Sequence, residues 1–452
     1  MESPPSPWIP WMRRSLQLAA LGLGRTSPNP LVGCVVLDAA GHLVGEGFHA
    51  RAGEPHAEVG ALAMAGERAR GGTLVVTLEP CCHHGRTPPC SEAVIRAGVA
   101  RVVVAMADPN PRVDGGGLAQ LRAAGLEVIT GVLEAEARSL NAPFLHRLAT
   151  GRPLGILKWA MSLDGRTALP NGASQWISGP AARRWVHELR ARCDAVIVGG
   201  GTVRSDDPLL TSRGRRTPEP LRVVLSRSLD LPASAQLWDT GLAPTLVVHG
   251  PDAPQAARMA IDRLAAAATH PASGGQLHCS TASEGSLPQD RLSMGGPAAG
   301  ADRGPALRPP EDAAGNSPLA VAPSGSVWPG CAASPGCDSA EALPGGRLER
   351  LELPVCEPAA LLQALAERGC NTVLWECGPE LAAAALRQGC VQQVAAVIAP
   401  KLLGGLAART PLGDLGLEAM AQVATWRERE LSRHGADLLW LLEDGSRLVN
   451  HD

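Results

Sequence analysis

The sequence predicts an α/β layer fold with a mostly parallel sheet, and three observations predict it. Short β-rich runs such as Thr-Leu-Val-Val-Thr-Leu at 73–78 alternate with Ala- and Leu-rich runs of helical length. Glycine or proline punctuates the junctions between them. The alternation also starts twice, once on each side of Gly151-Arg152-Pro153. Two units are therefore expected, residues 1–150 and 151–452, within the two to three domains that 452 residues allow at about 150 each.

The elements follow in order. Residues 12–24 have helical spacing and end in glycine. A strand is expected at 32–38, and Gly41 turns the chain into a second short strand. A helix at 56–69, a strand at 73–78, a helix at 90–98, a strand at 101–106, a helix at 116–124, a strand at 126–130 and a helix at 133–149 complete the first unit. The second unit opens with a strand at 154–161 and a helix at 179–192, for which Ser178 is the expected N-cap. Strands at 194–199, 221–225 and 244–249 follow. From about 270 to 346 the chain is Gly, Ser, Pro and Ala without sustained periodicity, which reads as a disordered insertion. The pattern resumes with a strand at 348–353, a helix at 357–368, a strand at 371–376, a helix at 379–388 and a strand at 391–398.

Composition excludes several classes of function. There are 41 Lys and Arg against 44 Asp and Glu, a net charge of −3, too balanced for a protein that coats nucleic acid. No apolar run is long enough for a transmembrane helix. The first ten residues carry four prolines and no apolar core, unlike a secretory signal. Twelve dispersed cysteines then fit a reducing cytosol, with a few as metal ligands, better than a disulfide framework. The 51 Gly and 39 Pro make up about a fifth of the chain, against roughly 12% on average, so part of it should be rich in loops.

One constellation carries chemistry. His56-Ala57-Glu58 opens a predicted helix, Glu79-Pro80-Cys81 ends the next predicted strand, and Cys90 begins another helix. A catalytic zinc takes three protein ligands and keeps one position open for water. A glutamate beside the ligands, itself not ligating, can move a proton from that water to a leaving amine. Cys82 is the adjacent alternative to Cys81, and the strand-end Pro-Cys pattern favours Cys81. Helix starts at His56 and Cys90 would favour a thiolate. A structural zinc site would need a fourth closing ligand and gives Glu58 no purpose. Cys34, in mid-strand, reads as a small buried hydrophobe.

The string from Thr77 to Cys90, Thr-Leu-Glu-Pro-Cys-Cys-His-His-Gly-Arg-Thr-Pro-Pro-Cys, closely resembles the pyrimidine deaminase half of the bifunctional riboflavin-biosynthesis deaminase/reductases. Ser27-Pro28-Asn29-Pro30-Leu31-Val32-Gly33, Gly53 to Glu58 and Asp108-Pro109-Asn110-Pro111 resemble the same family. The resemblance implies a cytidine-deaminase-like domain with His56, Cys81 and Cys90 as zinc ligands and Glu58 as proton shuttle. It also implies Asn29 at the substrate base and His83 and His84 in a substrate loop.

The second unit resembles the reductase half of that family over about 153–265 and 347–445. The pieces that carry this are Lys158 to Arg166, Gln175-Trp176-Ile177-Ser178, Gly199 to Val203, Asp206 to Thr211 and Trp375 to Leu381. The implied fold is dihydrofolate-reductase-like, and the implied cofactor is NADPH, contacted by Ala160, Trp176, Thr202, Asp206 and the turn from Gly378. Ser174, Arg190, Leu210, Arg213 and Glu376 would contact substrate. Arg190 and Arg213 suit a phosphate, which guanidinium binds bidentately, and Lys158 would steady charge near the ribose. Two departures stand out. Cys377 occupies a position that is usually a small residue, and the run Val-Val-Leu-Ser-Arg-Ser at 223–228 lacks the family's aspartate.

The expected activity is zinc-dependent deamination of 2,5-diamino-6-(5-phosphoribosylamino)pyrimidin-4(3H)-one, then NADPH-dependent reduction of its ribosyl side chain to ribityl. The expected partner is this small phosphorylated pyrimidine, with no nucleic acid and no membrane, in a cytoplasmic homo-oligomer. Two alternatives are a deaminase with a degenerate reductase half and a nucleic-acid base deaminase. The latter would want a basic groove or stacking aromatics, and the chain has no Tyr.

Overall fold

The structure is a computed structural model that describes residues 6–83, 88–110, 113–269 and 347–445. The expected insertion at 270–346 lies outside the described residues, as do His84 to Thr87 and Pro111.

The first sheet contains β1 (Gly33–Leu37), β2 (Leu43–Phe48), β3 (Thr73–Leu78), β4 (Arg101–Met106) and β5 (Glu127–Thr130), in the spatial order β2-β1-β3-β4-β5. Its helices are α1 (Ile9–Ala20), α2 (Ala57–Ala65), α3 (Cys90–Ala97), α4 (Gly116–Ala123), α5 (Glu134–Leu140) and α6 (Ala142–Thr150). Alternate strand residues serve opposite faces. Cys34, Val36, Leu74, Val76, Val102 and Val104 pack with Ala57 and Ala61 of α2, Val94 of α3 and Leu121 of α4. Val35, Val75, Val103 and Ala105 pack with Met12 and Leu18 of α1 and Ala137 of α5. Burial on both faces explains why these strands read as continuous apolar runs. α2 lies very close to β2, since a Cβ on Gly47 would come 2.3 Å from the carbonyl oxygen of Ala57.

Three expectations are corrected here. β1 is antiparallel to both its neighbours, so this sheet is mixed. The tight turn at Asp38–Gly41 forces β2 back along β1, and the crossover through α2 lays β3 parallel to β2 and therefore antiparallel to β1. The helix expected at 133–149 breaks at Asn141, whose buried amide pairs with both the N–H and the C=O of Leu31. The helix expected at 56–69 tightens to a 3₁₀ turn at Gly66–Ala69, where Gly66 has φ 56°.

The second sheet has nine strands: β6 (Leu154–Ser162), β7 (Ala195–Gly199), β8 (Leu221–Leu225), β9 (Thr245–His249), β10 (Leu348–Glu352), β11 (Thr372–Trp375), β12 (Gln393–Ala399), β13 (Trp426–His434) and β14 (Asp437–Asp444). Their order is β10-β9-β8-β7-β11-β6-β12-β14-β13, and every pairing is parallel except β12–β14 and β14–β13, so β14 alone runs against the others. The helices are α7 (Pro180–Arg192), α8 (Gly200–Asp206), α9 (Gln255–Thr269), α10 (Pro358–Glu367) and α11 (Pro379–Arg387). Leu361 and Leu365 of α10 and Ala382 and Ala385 of α11 cover one face, and Leu189 of α7 and Val203 of α8 cover the other.

The helices α8 and α9 and the β13–β14 hairpin were not expected. β13 reads Trp-Arg-Glu-Arg-Glu-Leu-Ser-Arg-His and is largely exposed. A charged edge strand shields its unpaired backbone and shows no apolar alternation. Ser178 does not cap α7. Gly179 is the N-cap and donates its N–H to Asp437 Oδ2 at 2.6 Å, while the Ser178 carbonyl accepts from Arg183.

Candidate active sites

His56 is the N-cap residue of α2, at φ −70° and ψ 160°, and Cys90 is the first residue of α3. Cys81 lies three residues beyond β3. These elements bring His56 Nδ1 to 3.2 Å from Cys90 Sγ and 3.7 Å from Cys81 Sγ, while the Cys90 N–H points at Cys81 Sγ. One donor atom from each of the three lies within 4.8 Å of the others. The spacing can be compared with zinc chemistry. Zn–S of about 2.3 Å and Zn–N of about 2.0–2.1 Å in a tetrahedron separate S from N by about 3.5 Å, so this donor set fits zinc with one position left open. Cys82 is not part of it, because its Sγ approaches the carbonyl of Val113 at 3.8 Å.

The three donors act strongly on one another, and the Cys81 sulfur and burial push the Cys90 thiol up. A hydrogen bond from Cys90 and, behind it, one from His56 hold Cys81 below the usual thiol range. The His56 ring is raised, chiefly by its contact with Cys81. Glu58, one residue into α2, is 3% exposed, and burial raises its carboxyl to about 6.

Two supports were not visible in the sequence. Glu79 is buried and accepts the N–H groups of Asp108 (3.1 Å), Gly115 (3.3 Å) and Leu118 (3.0 Å), fixing the segment after β4 beside the cysteines. His49 stands between Asn29 and His56. Its Nε2 is 3.1 Å from Asn29 Nδ2, and its ring meets that of His56 edge-on at 5.4 Å between centroids. A lone His at the end of a strand gives no sign of this.

A second cluster lies at the C-terminal ends of the central strands of the nine-stranded sheet, where ligands of such sheets bind. Glu376, just after β11, accepts from Arg190 Nε (2.5 Å) and Nη2 (3.0 Å) and pairs with Lys158 Nζ at 3.4 Å. Burial alone would push the Glu376 carboxyl up, but Arg190 and Lys158 outweigh it and bring it to about 2. Arg190 is thus not on a solvated helix face, and its fork is already matched to a carboxylate. One turn earlier, His187 is lowered to about 4 by burial and by Arg190, Arg213 and Arg215. Its Nδ1 is buried without a hydrogen bond. Arg213 sits in a loop ordered by Glu219, which accepts from Ser212 N and Gly214 N. Cations outnumber carboxylates here, which suits an anionic ligand.

The other expected residues divide by position. A Cβ on Gly378 would lie 3.9 Å from Thr202 Oγ1, so the starts of α8 and α11 are neighbours. Ala160 lies in β6 opposite Val397. Leu210 is 2% exposed, within the core. Ser174 and Trp176 follow β6, and Asp206 ends α8, all outside the ion cluster. Trp176 is 62% exposed beneath the Arg183 guanidinium at 4.5 Å, so it is not a core aromatic. The Cys377 thiol packs against the core, and burial pushes it up to about 12, leaving it inert.

Both halves of the chain match known proteins. The family described as the cytidine and deoxycytidylate deaminase zinc-binding region matches residues 9–106. The RibD C-terminal domain family matches 153–273 and 320–440, with its gap inside the expected insertion. The chain is 41% identical over 429 residues to the riboflavin biosynthesis protein RibD of Synechocystis, covering 95% of this chain and 94% of that protein. It is 55% identical over 214 residues to RibD of Escherichia coli, covering 47% of this chain and 58% of that protein. Among solved structures, RibD of Acinetobacter baumannii aligns at TM-score 0.70 with 34% identity, over 96% of this chain and 97% of that one. A diaminohydroxyphosphoribosylaminopyrimidine deaminase/5-amino-6-(5-phosphoribosylamino)uracil reductase from Thermotoga maritima aligns at TM-score 0.70 with 29% identity, over 97% and 98%. Both halves are matched in one chain and in the same order, and the chain belongs to the RibD family of bifunctional riboflavin-biosynthesis deaminase/reductases.

Proposed function

We propose that the family's two reactions are divided between the two sheets, with the boundary at Gly151-Arg152-Pro153, so that residues 1–150 deaminate and residues 151–452 reduce. The observation that carries this reading is the convergence of His56, Cys81 and Cys90 beside buried Glu58, with a separate cationic cluster on the other sheet.

In the first half, His56, Cys81 and Cys90 hold zinc. Zinc held by such a set lowers the pKa of water to about 7. Glu58 accepts the water proton and returns it to the departing amine, so that ammonia leaves and oxygen takes its place on the pyrimidine carbon. Asn29 hydrogen-bonds the base.

In the second half, Ala160, Trp176, Thr202, Asp206 and the turn from Gly378 hold NADPH. Ser174, Arg190, Leu210, Arg213 and Glu376 hold the ribosyl phosphate end of the deaminated substrate. Bound there, NADPH would supply a hydride to C1′, with the C1′–O4′ bond breaking and a proton from solvent completing the hydroxyl on O4′. Arg213 and the neighbouring cations neutralise the phosphate.

The substrate is the free phosphorylated pyrimidine, with no nucleic acid and no membrane. A net charge of −3 supports a small free substrate over a nucleic acid. A cytoplasmic homo-oligomer completes the reading, and light scattering on the purified chain tests its size.

One experiment tests the division. The protein is incubated with the diaminopyrimidinone ribose phosphate, with and without NADPH, and ammonia and NADPH absorbance are followed separately. Ammonia should appear in both arms, with NADPH oxidation only after it. Zinc-replete protein that releases no ammonia refutes the first assignment, and ammonia without NADPH oxidation refutes the second.

A further inference from the structure

The turn that carries Asn29 is held from outside its own sheet. Ser27 Oγ donates to Asp194 Oδ2 at 2.9 Å. The same carboxylate oxygen accepts the N–H groups of Asn371 at 2.8 Å and Thr372 at 3.0 Å. Arg147, on α6, spans the junction. Its Nε donates to Asn371 Oδ1 at 2.6 Å, and its Nη2 donates to the Pro28 carbonyl at 3.0 Å. Asp194 is 8% exposed and Asn371 is 5% exposed. They immediately precede β7 and β11, the adjacent central strands of the second sheet. The close approach extends to Gly24, where a Cβ would meet the Ala191 carbonyl oxygen of α7 at 2.2 Å.

On the other side of the turn, His49 fixes the Asn29 amide. His49 Nδ1 lies 3.2 Å from the carbonyl of Pro55, a pure acceptor, so Nδ1 carries the proton. Nε2 is then the acceptor, and Asn29 Nδ2 donates to it at 3.1 Å. Asn29 Oδ1 is thereby the atom turned to accept from a ligand. Where Oδ1 points depends on the backbone of the turn, which Pro28 O and Ser27 Oγ tie to the second sheet.

We propose that Arg147, Asp194 and Asn371 are positioning residues for the deamination, so that the reductase half completes the base-recognising turn of the deaminase half. This rests on the reading above that Asn29 contacts the base. A contact displaced by a fraction of an ångström weakens recognition without altering the groups that transfer protons.

The test uses the zinc-loaded full chain and four variants: Ser27→Ala, Arg147→Met, Arg147→Lys and, as reference, Asn29→Ala. Ammonia release gives KM and kcat for the first reaction, NADPH oxidation on the deaminated substrate gives them for the second, and zinc content is measured on the same samples. Ser27→Ala and Arg147→Met should raise the deaminase KM about tenfold, equivalent to about 1.4 kcal/mol, with kcat, zinc content and both reductase constants unchanged. Arg147→Lys retains one donor and should fall between wild type and Arg147→Met. The proposal is overturned if Asn29→Ala raises KM and the latch variants do not. It is equally overturned if their KM rises only together with loss of zinc or of reductase activity, which general loosening would produce. If Asn29→Ala itself leaves KM unchanged, the base contact is refuted and the proposal goes with it.

Discussion

Replacing Glu376 by glutamine keeps the side-chain shape and removes one buried charge between two cations. The carboxyl lies at about 2 in the folded chain against 4.5 when unperturbed. That difference of about 2.5 pH units is worth roughly 3 kcal/mol at ~1.36 kcal/mol each. The Glu376 side chain is only 9% exposed and that of Arg190 13%, so little of this is lost to solvent screening. Breaking a buried pair by removing one partner typically costs about 3–5 kcal/mol, which agrees. The folded pKa is depressed, so the stabilisation is fully present above pH ~4.5 and is lost as pH falls through about 2. Glu376→Gln should therefore lower the melting temperature of the second half by roughly 6–12 °C near neutral pH, at about 2–4 °C per kcal/mol. It should also flatten the fall in stability between pH ~4.5 and ~2. Tryptophan fluorescence during thermal unfolding across that range measures both, and ammonia release from the same protein should be unchanged. A variant that melts like wild type at neutral pH and keeps the same acid-side slope would refute the buried ion cluster.

The other expectations concern single sites. Glu58→Gln should keep its zinc, measured by metal analysis, yet release no ammonia, while oxidising NADPH normally when supplied with deaminated substrate. Cys81→Ser should lose most of the zinc and Cys82→Ser should keep it, because the Cys81 sulfur faces His56 and Cys90 while that of Cys82 approaches the Val113 carbonyl; equal retention would refute the assignment of Cys81, and the reverse pattern would exchange it. Arg222→Met should destabilise by about 3 kcal/mol in urea titration without altering zinc content, since Arg222 Nη2 donates to the carbonyls of Leu237, Asp239 and Ala243.

Alternating strand and helix patterns were legible because most strands are buried on both faces and read as apolar runs. β13 was not, because its charges serve to keep an edge unpaired. The candidate zinc set was legible because His56, Cys81, Cys90 and Glu58 fall at the ends of predicted elements in a pattern that resembles the deaminases, and the fold brings the three donors together. Arg222 shows the opposite case: in sequence it interrupts an apolar strand, and only the fold reveals three loop carbonyls gathered around it. The mixed character of the first sheet was not legible, because periodicity reports which face a residue serves and is silent about strand polarity. Glu79, Asp194 and Arg147 act through partners far along the chain, Asp194 meeting Ser27 across 167 positions. No local pattern encodes such a contact.

The position of Asn371 and Glu376 on one strand explains how a single sheet can serve two reactions without their interfering. They flank β11, four residues of central strand, and at about 3.3 Å per residue they stand about 16 Å apart. Every residue of β11 is buried, and it pairs with β6 on one side and β7 on the other. A strand held on both edges and both faces is among the least mobile parts of a fold. Its two ends are therefore equally well placed to hold a site. At the C-terminal end, Glu376 gathers Arg190 and Lys158. At the N-terminal end, Asn371 joins Asp194 and Arg147 around the Asn29 turn. Loss of charge at one end should spare the other, because sixteen ångströms of packed strand separate them and each ion or hydrogen bond acts over a few. Glu376→Gln and Arg147→Met thus make opposite demands on one protein: the first must alter reduction and leave deamination unchanged, and the second must do the reverse. If either variant altered both reactions, the central strands would be transmitting a change in packing, and the two ends could not be treated as independent anchors.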